Sequence, residues 1–155
     1  MAKPGVIYRL NWAAFHETDD IQCYVDISDN DNLIDDGDTA EVRPLTPGTV
    51  PADLSVIDND DNPFTAIRAQ QLIIEFASDY NYSMATFCTG SDQRWGVHYY
   101  IGDNTKTVFK GFIVMDDISE PLLAPTEIVT LTATDNLGLL KDIPLTNTDE
   151  TTLMG

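Results

Sequence analysis

Residues 94–115 read RWGVHYYIGDNTKTVFKGFIVM, and how this stretch folds decides the class of the whole chain. Trp95, Val97, Tyr99 and Ile101 fall on one parity, with Gly96, His98 and Tyr100 on the other. That period of two belongs to a strand and not to a helix. Gly102, Asp103, Asn104 and Thr105 then supply turn chemistry, and a second β-rich run follows, so the stretch is a hairpin. Its second run carries apolar side chains on both faces, with Phe109, Ile113 and Met115 against Val108, Phe112 and Val114. One face belongs to the core. The other needs a cover, and Phe109, Phe112, Ile113, Val114 and Met115 are together the candidates for a subunit interface.

Outward from the hairpin the same grammar recurs. Residues 6–12 alternate with Val6, Tyr8, Leu10 and Trp12 on one face, and 21–28 do so with opposite parity. Leu54–Ile57 is a short further run, Leu72, Ile74 and Phe76 mark another strand, and 127–134 is the last. Helical period is missing beyond about two turns anywhere. The expected fold is therefore mainly β, of antiparallel strands, with one short C-terminal helix. The helix is expected after TLTATD, where Thr134 or Asp135 can cap it through a side-chain oxygen. Leu137 and Leu140 would dock that turn, Lys141 suits its C-terminal dipole, and Pro144 stops it. On this reading Asp135 is structural punctuation and not a catalytic acid.

Composition bounds the functions. With 155 residues the chain has the length of one domain, and about 70% of its unfolded surface would be buried. Residues 1–146 are read as that domain and 147–155 as a tail or linker. Acidic residues number 26 against 8 Lys plus Arg, a net charge of −18. Such a surface repels phosphate backbones, so gripping of nucleic acid is not expected. No apolar run reaches the roughly 18 residues of a membrane-spanning helix, and the start MAKPGVIYRLNW lacks the plan of a secretory signal. Cys23 shares a strand face with Ile21, Val25 and Ile27 and reads as a small core hydrophobe, while a disulfide to Cys88 is disfavoured in a chain without a signal.

Chemistry-bearing patterns are sparse. The acidic tracts at 28–38 and 58–63 invite a calcium reading, but Pro63 and Ala69 stand where an EF-hand loop starting at Asp58 needs Gly and Glu. Asp and Asn also build turns by bonding their own backbone, and solvated loops are the simpler reading. His16 and His98 have no ligand neighbours at metal spacing, and Asp116 and Asp117 would point to opposite faces of a strand. No enzyme, metal or cofactor is expected. A receptor- or carbohydrate-binding β-domain is the alternative, using Trp12, Trp95, Tyr99 and Tyr100.

The order of parts resembles a known family. FKGFI, the spacer DDISEPLLAP, the strand EIVTLTATD and then NLGLLKDIPL are similar to the N-terminal hub region of long bacteriophage tail proteins, especially those of Bacteroidetes phages and prophages. The matching residues are Phe109 to Phe112, Pro125, Ala133, Thr134, Asp135, Leu137 and Gly138, with VRPLTPG and NPFTAIRAQQLIIEF upstream. Asn136 stands where the family commonly has Gly, and Asn tolerates the left-handed backbone such a position needs. The resemblance implies a small β-barrel or split barrel, a structural part of a baseplate hub or tail tip. It implies a homo-oligomeric ring, a trimer, that contacts other tail proteins at the distal end of the virion's tail after synthesis in the host cytoplasm.

Overall fold

The computed structural model describes residues 1–15, 20–57, 69–78, 86–102, 106–119, 128–135 and 137. Strands β1 (Lys3–Pro4) and β4 (Leu33–Ile34) form a small two-stranded ribbon. The remaining strands are β2 (Val6–Phe15), β3 (Asp20–Asp29), β5 (Glu41–Ile57), β6 (Ala69–Ala77), β7 (Trp95–Ile101), β8 (Lys106–Ser119) and β9 (Ile128–Thr134). They close into one barrel in the order β2-β3-β7-β8-β9-β6-β5. Closure gives every strand of the barrel a neighbour on both sides over part of its length, which leaves little free edge for pairing with other chains.

The pairs are antiparallel except one. β2 runs parallel to β5, from Val6 opposite Glu41 to Leu10 opposite Leu45. The small barrel of antiparallel strands expected from the sequence is thus present with one parallel pair, which arises because β3 and β4 intervene before β5 enters beside β2. β5 is also far longer than its last residues suggested: the run expected at Leu54–Ile57 is the end of a 17-residue strand. Its first part, Glu41–Leu45, pairs with β2, and its second part, from Thr46 on, pairs with β6. A strand bonded along one side at a time tolerates residues without an N–H. Pro44, Pro47 and Pro51 sit in it for that reason, and the ladder with β6 is interrupted between Pro47 and Ala52.

Alternation fills the interior. Leu10, Val25, Ile27, Leu72, Ile74, Phe76, Val129, Leu131 and Ala133 are fully buried, each on the parity that its strand pattern assigns to the inside. Cys23 is buried among them at 3% exposure and Cys88 is exposed; both are free thiols. The hairpin forms as expected, with Gly102 at φ 70° and its N–H donating to the Gln22 carbonyl at 2.8 Å. Gly adopts that left-handed backbone without the cost that a β-carbon adds. Opposite Tyr99 and Tyr100 a bulge leaves Val108 as the extra residue on β8 and turns Thr107 to the outer wall, opposite Tyr100.

One end of the barrel is plugged. Phe87, outside any strand, is fully buried with its ring edge-on to Trp95 at 5.1 Å, to Tyr8 at 5.2 Å and to Phe76 at 6.1 Å. The plug is tied down by Trp95 Nε1, which donates to the Thr89 carbonyl at 3.2 Å, and by Arg94, which donates to the Thr89 hydroxyl. Nothing regular in the sequence marks Phe87, since a single plug residue has no period.

Candidate functional site

The side chains picked from the sequence divide by face. Phe109 and Ile113 are 2% and 3% exposed and belong to the barrel interior. As subunit-interface residues they are corrected: they share parity with buried Gly111, so they point inward. Phe112 and Val114 alternate with them and stand half-buried on the outer wall. Met115 is half-buried too, at the start of the irregularity between Ile113 and Ile118 where β8 loops out from β9. The pair that remains for a contact with another molecule is Phe112 with Val114.

Asp135 is held by two backbone donors. Its Oδ1 accepts the Leu137 N–H at 3.1 Å, the i to i+2 bond of an Asx turn or helix start, and its Oδ2 accepts the Gln70 N–H at 2.9 Å. The Gln70 carbonyl in turn accepts the Asp135 N–H at 3.3 Å. The carboxylate therefore joins the end of β9 to the start of β6, a partnership that the sequence did not reveal. Thr134, the other candidate cap, ends β9 opposite Phe112 and Gln71. The helix expected beyond it lies outside the described residues. Asp135→Ala is expected to lower stability by about 2 kcal/mol, because two backbone donors lose their acceptor; urea titration of the variant checks this, and a midpoint equal to the parent's would refute the role.

A second polar group spans the outer wall of β2, β3 and β7. Arg9 grips Asp26 with two bonds of 2.7 Å, and the Tyr100 hydroxyl donates to the same carboxylate at 3.0 Å. Tyr24 stacks on Tyr100 at 5.2 Å with Arg9 above it, and His98 lies beside Tyr100 and 2.9 Å from the Thr107 hydroxyl. Strand register explains the grouping: Arg9 is opposite Asp26, Tyr24 opposite Tyr100, and His98 lies between Asp26 and Lys110. Burial, with the Asp26 charge second, pushes the Tyr100 phenol up to about 12. The group is saturated with its own bonds. It reads as a brace across three strands and not as a reaction centre.

Near the plugged end, Asp29 is 6% exposed and takes two bonds from Arg94, at 2.9 and 2.8 Å. The Arg94 hydrogen bonds hold its carboxyl below the usual carboxylate range against an opposing push from burial. A depressed folded value gives stability that is present above the ordinary carboxylate pKa and is lost as pH falls through the lower folded one. Stability is therefore expected to decline below about pH 4, and Asp29→Asn to flatten that decline; melting temperature against pH checks it. Among the described residues no three His, Cys, Asp or Glu side chains come together to hold a metal ion. In the tract at 28–38 Asp29 bonds Arg94, Asp36 bonds the Met1 ammonium and Asp31 lies 3.8 Å from Arg94; the tract at 58–63 lies outside the described residues.

The aromatics of the sugar-binding alternative are largely engaged. Trp95 and Tyr100 are each 3% exposed, and Trp12 stacks on Tyr99 at 5.7 Å, both packed against the core. Among the described residues no helix is long and apolar enough to cross a membrane. No family model, no curated protein and no solved structure matches this chain.

Proposed function

We propose that this chain is a structural, non-catalytic component of a bacteriophage tail tip or baseplate hub, which joins copies of itself and other tail proteins through its outer wall. The observation that carries the reading is the filled barrel. Phe76, Phe87, Phe109, Leu10, Ile27 and Leu131 occupy the interior, so what the fold offers to other molecules is its outside. There the half-buried Phe112 and Val114 stand beside a braced sheet, on a chain whose net charge of −18 suits a conduit past which DNA slides without sticking. The sequence resemblance to phage hub regions supplies the particular assembly.

The test is gold-labelled antibody against the chain on intact virions. Label confined to the distal end of the tail is expected. Label on the capsid or along the sheath would overturn the proposal.

A further inference from the structure

We infer that Arg94 is a latch and residues 86–93 a lid: when Asp29 takes up a proton, the lid lifts Phe87 out of the end of the barrel while the strands stay closed. The inference stands apart from the tail assignment. What carries it is how the segment is held. Of residues 86–93 only Phe87 is buried, and Cys88 to Gln93 are exposed. No described strand pairs with the segment. A stretch with one buried side chain and no ladder of backbone bonds belongs to the part of a protein that opens first.

Arg94 joins this segment to the wall. Its Nη1 donates to the Thr89 hydroxyl at 3.2 Å and to the Thr89 carbonyl at 3.4 Å, while Nε and Nη2 donate to the Asp29 carboxylate at 2.9 and 2.8 Å. The guanidinium also lies 4.8 Å from the centre of the Trp95 ring, whose Nε1 makes the other tie to the Thr89 carbonyl. The loop closes down on the arginine stem. A Cβ at Gly90, where φ is 105°, would lie 2.2 Å from Arg94 Cδ. At the base Asn30 holds on to the segment, its N–H donating to the Arg94 carbonyl at 2.8 Å and its Nδ2 to the Gln93 carbonyl at 3.0 Å. The pivot therefore lies at Gln93 and Arg94.

Asp29 decides whether the latch stays shut. It is 6% exposed, so its charge is tolerated there because the Arg94 fork faces it. The other groups around the pair are exposed Asp31, 3.8 Å from Arg94, and the Tyr8 phenol of β2, which is bonded by Arg43 of β5, itself paired with Glu41. The Arg94 bonds hold the Asp29 carboxyl below the usual carboxylate range. The latch is thus shut at neutral pH and is released as pH falls below about 4. Release uncovers the rings of Tyr8, Phe76 and Trp95 that Phe87 covers.

The chain's two tryptophans report the two ends separately. Trp95 pairs with Asp29 at the plugged end, whereas Trp12 pairs with Cys23, which pairs with Ile101 at the other end of β7. Fluorine NMR of the full chain carrying 5-fluorotryptophan, recorded from pH 7 to pH 3 in H2O and in D2O, tests the latch. A second Trp95 signal that shifts between the two solvents is expected below about pH 4, growing by up to about tenfold per pH unit, with the Trp12 signal unmoved. Asp29→Asn should show that signal already at pH 7. Chymotrypsin at pH 7 should cut its Phe87–Cys88 bond about tenfold faster than the parent's, since the protease takes Phe87 only when it has left the core. Trp12 and Trp95 signals that change together in acid, a Trp95 signal that stays shielded from solvent in acid, or a folded Asp29→Asn protein cut no faster than the parent would each overturn the inference. If Asp29→Asn does not fold, the acid titration of the parent decides alone.

Discussion

Gly111→Ala is expected to prevent folding or to open the barrel between β8 and β9. A Cβ placed at Gly111 would lie 2.0 Å from the Thr134 carbonyl oxygen and 2.6 Å from its carbonyl carbon. These are backbone atoms of the neighbouring strand. They cannot rotate aside as a flexible side chain could, and relief requires the strands to separate where Phe112 pairs with Thr134 and Ile113 with Ala133. The ring of Phe109 lies 2.8 Å from the same added carbon and blocks the other way out. Forcing one methyl into such a site costs about 3 kcal/mol or more. Chemical denaturation of Gly111→Ala beside Lys110→Ala, an exposed neighbour, checks the claim; equal stabilities would refute it.

Phe87→Ala should be nearly as damaging, by a different route. The side chain is fully buried and meets the rings of Tyr8, Phe76 and Trp95 edge-on, so truncation removes its own burial and the faces it offers three others. A loss of about 3–5 kcal/mol is expected from the transfer and cavity contributions together. The tie of Trp95 to the Thr89 carbonyl limits how far the segment can settle into the hole. Phe87→Leu refills most of the volume and should recover more than half of the loss. Differential scanning calorimetry of the pair decides it, and a Phe87→Ala protein that melts with the parent would show that the plug is dispensable.

The contrast between Phe87 and Phe109 shows what the sequence makes legible. Phe109 lies on a strand whose alternation announces an inside and an outside, and only the choice of side was open; neighbouring Gly111 and Ile113 fix it. Phe87 lies in an irregular segment where hydrophobicity has no period, and its burial depends on where the end of the barrel happens to be. β5 was hidden for a third reason. Its prolines break the pattern of a normal strand, yet they are tolerated because each half of β5 pairs along one side only.

The candidate site divides in the same way. The bond from Leu137 to Asp135 is of the kind local spacing can suggest, a short acid followed by a turn, since it spans two residues. Its second bond, to Gln70, spans 65 positions and leaves no trace in local spacing. The Arg9–Asp26–Tyr100 brace is likewise invisible in the sequence, since the register of β2 on β3 and of β3 on β7 assembles it from three strands. Without the extra Val108 on β8, Tyr100 and Thr107 would not face each other on the outer wall.

The account stands on the claim that this barrel works from its outer wall as a ring component of a tail tip. Cryo-electron microscopy of the assembled particle tests that claim most directly. The expected map has copies of the filled barrel closed in a symmetric ring at the distal end of the tail, in contact through their outer walls. Barrels found singly, or in the capsid or sheath, would contradict it.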